Sequence, residues 1–443
     1  MPVDTSYRTI WRISYPIILG LMAQNLMVVI DTAFLGRLGE VSLGASAIGG
    51  IFYLCLVMLG AGFAVGVQIV IGRRNGEGQE QKIGAVFDHA IYFMMALAIL
   101  LTVLLKQLAP LLLSIFLQSE AVLAESLVFL SYRRFGFLFG FLVMTFNSFY
   151  TGITRTRILI VSTSLMAGVN ILLDYLLIFG NWGFPAMGIA GAAVATNVAE
   201  VLTFLFFLLW SAKTHTLSRY RLLRFARPRA RQYRMISRVA VPVMFQYFLS
   251  FAAWFAFFLV IEQISETALA ASNITRSFYM LLMIPVWGLS SATNTLVSNI
   301  IGQGQAGEVI PLVRKIMFTA LLISLVVIQV NLFFPREIAA FFTQEAHLID
   351  ATVPLLRVTS LALLAFSFGM IWFSGLSGTG KTLIALGIEV LSIAFYLVTA
   401  YILAVGFGGS APVVWFVEVV YFSVLGLGSL AYLQSGKWRH FSL

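Results

Sequence analysis

The sequence predicts an all-α membrane protein of twelve transmembrane helices, arranged as two six-helix lobes. Three observations predict it. Hydrophobic residues make up 60% of the 443 and charged residues only 10%, with a mean hydropathy of +0.96. A soluble domain carries about 25% charged residues. Apolar runs of helix length alternate with short polar breaks, and the second half of the chain repeats landmarks of the first. This composition excludes a water-soluble enzyme, a nucleic-acid binder and a disordered chain.

The first half gives spans over 13–35, 47–71, 86–109, 122–150, 158–180 and 188–211. The second gives 239–262, 272–300, 316–334, 352–374, 383–405 and 413–434. Most approach the roughly 20 residues that cross about 30 Å of hydrocarbon. Runs of about 25 residues or more must tilt, kink or protrude. The runs are continuous rather than alternating, so a β-barrel does not fit. Arg8 and Arg12 precede the first run as in a signal peptide, but the run is too long and no small-x-small cleavage site follows. It is the first span.

Lys and Arg set the orientation. Of the 28, 21 fall on the side of the N-terminus, and the opposite loops hold only Arg37, Lys106 and Arg336. Both termini are therefore expected in the cytoplasm. The net charge of +10 is then a positive-inside signature, not a sign of nucleic acid. Residues 211–238 are basic, contain Pro228, and suit the surface of an anionic leaflet. They divide the chain into an N-lobe (1–212), a basic cytoplasmic linker (213–238) and a C-lobe (239–443).

The halves repeat. Pro16 and Pro242 differ by 226 positions, and at that offset Glu40 matches Glu266, Phe52 matches Phe278 and Tyr53 matches Tyr279. Arg134 and Gly152 match Arg357 and Gly375 at 223. Order is kept while the offset drifts, as in a duplication. Six spans per repeat is even, so the repeats are parallel, related by a pseudo-two-fold axis along the membrane normal. Transporters built from repeats bind substrate at the repeat interface and alternate access by rocking one part against the other.

Five acids lie well inside predicted spans: Asp31, Asp174, Glu200, Glu389 and Glu418. A charge in hydrocarbon costs at least about 2.5–3.5 kcal/mol, so each must be paired, hydrated or protonated. Asn170 and Asp174 stand at i, i+4 on one helical face. An amide oxygen beside a carboxylate can ligate a hard cation or bond a protonated acid. Thr196 and Glu200 stand at i, i+4 on the sixth span. Pro16, fifteen residues before Asp31, frees a helix carbonyl and supplies a hinge. The first half thus gathers Asp31, Asn170, Asp174, Thr196 and Glu200 on three helices that hold no basic residue to neutralise them.

The matching positions in the second half are Phe257, Ile393 and Leu397, so the cluster is not repeated. Glu389 and Glu418 remain as secondary polar sites, with Lys381 or Arg314 expected to pair Glu389. Gly375 to Thr382 fits G-x-x-x-x-G-K-[ST], yet a phosphate-binding loop needs a preceding strand, and here the pattern is a turn between two spans. The single Cys55 excludes a disulfide framework. His89, His215, His347 and His440 form no metal-binding pair, so neither a metal centre nor a cofactor is expected.

The residues Pro16, Asp31-Thr-Ala-Phe-Leu-Gly36, Gly60-Ala-Gly62, Ile71-Gly72-Arg73, Asn170-Ile-Leu-Leu-Asp174-Tyr and Gly188 through Thr196 resemble those of the multidrug and toxic compound extrusion family. The resemblance covers almost the whole chain. It implies two V-shaped six-helix lobes and secondary active efflux of cationic or amphiphilic drugs or metabolites in exchange for H⁺ or Na⁺. It maps the N-lobe cation site onto Asp31, Asn170, Asp174 and Thr196, with Na⁺ possible at the first three. Some Na⁺-coupled members carry acids in the seventh and tenth helices, where this chain has Ser250 and Ser367. The expected setting is a bacterial inner membrane, the expected partners amphiphilic small molecules and lipids, and the expected state a monomer. A lipid-linked oligosaccharide flippase of the same superfamily is the alternative, against which stand twelve spans and an acidic first half. A membrane-embedded enzyme would need a catalytic set that does not stand out.

Overall fold

The structure is a computed structural model that describes residues 4–117, 119–225 and 227–439. His440 and Ala226 of the linker lie outside the described residues. In the first half, α1 (Tyr7–Gly36), α2 (Glu40–Gly76), α3 (Glu80–Phe116), α4 (Glu120–Arg133), α5 (Gly136–Gly152), α6 (Arg157–Phe179) and α7 (Ile189–Lys213) precede a short α8 (Thr216–Tyr220). In the second follow α9 (Ala230–Glu262), α10 (Glu266–Gly302), α11 (Val309–Phe333), α12 (Pro335–Phe342), α13 (Ala346–Gly378), α14 (Thr382–Tyr401), α15 (Ala411–Trp415) and α16 (Val417–Gln434). Among the described residues eleven helices are long and apolar enough to cross a membrane. A twelfth span is the α4–α5 pair, bent by 52° at its break. All twelve expected spans are present in an integral membrane protein.

The bend resolves the overlong fourth run. It falls between Arg133 and Gly136, and breaking a helix frees carbonyls that must be bonded again. Asn197 Nδ2 donates to the Tyr132 carbonyl at 2.8 Å, and Thr102 Oγ1 donates to the Arg134 carbonyl at 3.1 Å.

The helices group into two compact units. One holds Met1–Ile18 with Phe245–Leu443, the other Leu19–Met244. The opening segments of the sequence halves are thus exchanged, and local packing explains why. In the first unit a Cβ on Gly288 of α10 would lie 2.4 Å from Ile18 Cγ1, and Lys315 Nζ donates to the Thr5 carbonyl at 3.2 Å. In the second, Cβ atoms on Gly62 and Gly66 of α2 would lie 2.5 Å from the Val243 carbonyl and 2.2 Å from Ala240 Cα. The boundaries fall two residues after Pro16 and two after Pro242.

In the first unit α13 packs against α10, α11 and α16. The glycines of the G-x-x-x-x-G-K-T pattern serve that packing. Cβ atoms on Gly375 and Gly378 would press on Val313 and on Asn294 and Val297 at 2.7–2.9 Å. Residues leading into the pattern are helical rather than a strand.

The linker is tied to α3. The backbone N–H groups of Leu223 and Phe225 donate to Asp88 Oδ1 and Oδ2 at 2.8 and 2.9 Å, and the Arg229 N–H donates to His89 Nε2 at 3.0 Å. That bond fixes the His89 tautomer, so Nδ1–H donates to the Ala85 carbonyl at 2.7 Å. His215, Arg221, Leu223 and Phe225 all hold left-handed φ between 48° and 56°. Side-chained residues hold such a backbone only where surrounding bonds impose it, and the Asp88 carboxylate does so at Leu223 and Phe225.

Candidate functional site

The second unit brings Asp31 from α1 and Asn170 and Asp174 from α6 together, and Thr196 from α7 adjoins Asn170. The Asp31 and Asp174 carboxyls face each other within hydrogen-bonding range. Asn170 and Asp174 are fully buried, one turn apart on α6. Asn170 Nδ2 donates to Thr196 Oγ1 at 3.2 Å, and Thr196 Oγ1 donates back to the Ala192 carbonyl at 2.9 Å. The amide thereby turns its oxygen away from Thr196.

The chemistry of the site follows from what is missing. Asp31 Oδ1, Asn170 Oδ1 and both Asp174 oxygens are buried without a hydrogen-bond donor among the described residues. Four orphaned acceptors are costly in any protein interior. Two carboxylates this close cannot both stay ionised unless a cation or proton lies with them. Oxygen-only ligands suit a hard cation, and a shared proton would satisfy the same pair. Pro16 is buried in α1, which stays helical from Tyr7 through Asp31 to Gly36.

Glu200 has a different role. Arg133 from the end of α4 holds it through two bonds, Nη2 to Oε1 at 2.6 Å and Nη1 to Oε2 at 3.2 Å, and also bonds Asn197 Oδ1 at 2.7 Å. The guanidinium lies 4.4 Å from the Tyr53 ring centroid. Gly136 leaves the room: a Cβ there would fall 1.6 Å from Arg133 Nη1. The three helices that carry the acids hold no base of their own inside their spans. The cation comes from the fourth span, at the break a 29-residue run had to contain.

In the first unit Glu389 and Glu418 are buried. Glu389 accepts from the Ser250 hydroxyl and from Tyr421 Oη at 2.8 Å, so hydroxyls stand where a lysine or arginine was expected. Glu418 accepts from Tyr396 Oη at 2.7 Å. Ser367 bonds Ser324 at 2.7 Å. Phe257, at the position matching Asp31, is fully buried and stacks on Tyr396 at 5.3 Å. Among the described residues no group of three or more His, Cys, Asp or Glu is placed to hold a metal ion.

Comparison with known proteins agrees with this architecture. The MatE family profile matches residues 16–176 and again 242–402, two copies displaced by the offset that pairs Pro16 with Pro242. A probable multidrug resistance protein NorM of Thermotoga maritima is 26% identical over 428 residues, covering 94% of this chain and 89% of its own length. A protein of the same name from Rhizobium meliloti is 25% identical over 451 residues, covering 99% and 94%. The crystal structure of a MATE protein in complex with MaL6 has a TM-score of 0.89 at 22% identity, covering 97% of this chain and 96% of that one. A MOP superfamily transporter from Pyrococcus furiosus has a TM-score of 0.89 at 21% identity, covering 97% and 95%. These two share the fold. With two profile matches spanning most of its length, the chain belongs to the MatE family, the multidrug and toxic compound extrusion proteins its motifs resemble.

Proposed function

We propose that the chain is a secondary active efflux transporter, not an enzyme, exporting cationic or amphiphilic small molecules in exchange for H⁺ or Na⁺. The observation that carries this reading is the set of four orphaned, buried acceptor oxygens on Asp31, Asn170 and Asp174, which suits a cation or proton. Asp31, Asn170, Asp174 and Thr196 form the coupling site. Pro16, on the same helix as Asp31, is the hinge through which occupancy changes conformation during alternating access. The multidrug resistance names of the relatives support the substrate class. A lipid-linked phosphate would need donors where these oxygens offer only acceptors, which weighs against a flippase. The protein works as a monomer in a bacterial inner membrane, with both termini cytoplasmic.

The test is ethidium export by vesicles of known orientation under a pH gradient alone or a Na⁺ gradient alone. Export driven by at least one gradient, and lost in Asp31→Asn at equal membrane expression, is expected. Wild-type export in that variant would overturn the assignment of the site.

A further inference from the structure

The repeat offers a comparison between two buried glutamates. In the first half Tyr53 lies beside Glu200, and Arg133 bridges them. In the second, Tyr279 matches Tyr53 and feels the charge of Glu418. At the offset that pairs Arg134 with Arg357, Arg133 is matched by Leu356. The tyrosine remains, the cation is gone, and the position matching Glu200 at that offset is Ser423, so Glu418 and Glu389 stand at places of their own.

Other groups have taken its place. Glu418, 4% exposed, accepts from Tyr396 of α14 and is bonded by Trp254 of α9. Glu389, 2% exposed, accepts from Ser250 of α9 and Tyr421 of α16, with Tyr247 of α9 nearby. The Tyr396 and Tyr421 rings lie 5.3 Å apart, so the two acids belong to one Glu–Tyr–Tyr–Glu cluster. Neither acid forms an ion pair among the described residues. On α10, Arg276 lies over the Phe258 ring at 5.1 Å. The charged side chains of α13, Asp350 and Arg357, and its histidine His347, are not among the groups acting on either glutamate. Tyr279, 1% exposed, has no hydrogen-bond partner for its Oη among the described residues and lies within electrostatic reach of Glu418.

We propose that Glu389 and Glu418 form a second proton-binding site, held within the helices of the first unit, in which Tyr421 and Tyr396 join the two carboxyls and Tyr279 supplies an open hydroxyl. A carboxylate among rings and hydroxyls, with no cation, is costly to keep charged. Taking a proton from hydronium leaves a neutral acid and water, and that acid can be held by the same hydroxyls. Acceptors on Asp31, Asn170 and Asp174 suit either ion, whereas this cluster offers phenols and an indole and suits a proton alone. The inference does not rest on the role given to Asp31.

The test is infrared difference spectroscopy of the full chain in lipid, read at the carbonyl stretch of protonated carboxyls during a pH jump. In Asp31→Asn with Asp174→Asn, which removes the other acid pair, the band persists and does not respond to Na⁺. Adding Glu389→Gln or Glu418→Gln halves it, and both together abolish it. Tyr396→Phe keeps the ring and removes the hydroxyl that bonds Glu418 Oε1 at 2.7 Å. It changes the proton affinity of Glu418 roughly three- to tenfold, the scale of one hydrogen bond. A band absent once Asp31 and Asp174 are replaced would overturn the proposal, as would one indifferent to the glutamates. If the glutamine variants do not fold, an unchanged midpoint in Tyr396→Phe overturns it alone. Loss of ion-driven ethidium export in Asp31→Asn leaves these spectra unaffected, so the two readings fail separately.

Discussion

Arg133 Nη2 meets Glu200 Oε1 at 2.6 Å, with both side chains nearly buried. The pair joins the end of α4 to the middle of α7 and neutralises one of the three acids, Asp31, Asp174 and Glu200, that the sequence places inside the first, fifth and sixth spans. What remains, Asp31 facing Asp174, is therefore the acid pair in that unit without an ion-pair partner among the described residues.

Arg133→Met should destabilise the protein by about 3–5 kcal/mol, because it leaves Glu200 buried and uncompensated. Replacing Glu200 by Gln in the same chain should recover much of the loss. Thermal unfolding in detergent, wild type against single and double variants, checks this. Equal losses in Arg133→Met with and without the second change would show that the ion pair is not what the arginine supplies.

Gly136→Ala should cost about 1–3 kcal/mol through overpacking, because the added methyl falls on the Arg133 guanidinium. In the Arg133→Met background the cost should largely disappear. Thermal unfolding of the double-mutant cycle reads the coupling, and additive losses would contradict it.

Asp88→Ala strips acceptors from two backbone N–H groups of a linker held in left-handed conformations. Each lost partner costs about 1–3 kcal/mol, so the linker should open locally. Limited tryptic digestion should cut at Arg219, Arg221 and Arg224 much faster than in the wild type. An unchanged digestion pattern would show the linker to be held otherwise.

Lys381→Ala should leave ion-driven export intact, since the glycines before it serve helix packing. ATP hydrolysis by the purified protein that vanishes in this variant would contradict that account and the secondary mechanism with it.

The spans were legible because lipid imposes length and continuous apolarity on every crossing helix. The twelve spans, and the repeat behind Pro16 and Pro242, follow from that. So does the meeting of Asn170 with Asp174, which i, i+4 spacing dictates, whereas their meeting with Asp31 needed the fold. Arg133 was hidden because its partner lies 67 residues away and its exposure to lipid or interior depends on a bend. An overlong span with an arginine near its middle and glycines after it was the available signal. Asp88 and His89 were hidden because linker backbone, which carries no side-chain pattern, is what they bind. The phenol partners of Glu389 and Glu418 lay unmarked among many aromatic residues.

We propose that Asp31, Asn170 and Asp174 act as one ion-coupling site. Ion-driven ethidium export, measured with thermal stability across Asp31→Asn, Asp174→Asn, Asn170→Ala and their combinations, tests it most directly. The account predicts that either Asp variant abolishes coupling, that Asn170→Ala lowers it in part, and that combining Asp31→Asn with either of the other two adds little, because groups acting as a unit are non-additive. Additive losses that follow protein stability, with full coupling in the protein that folds, would contradict it.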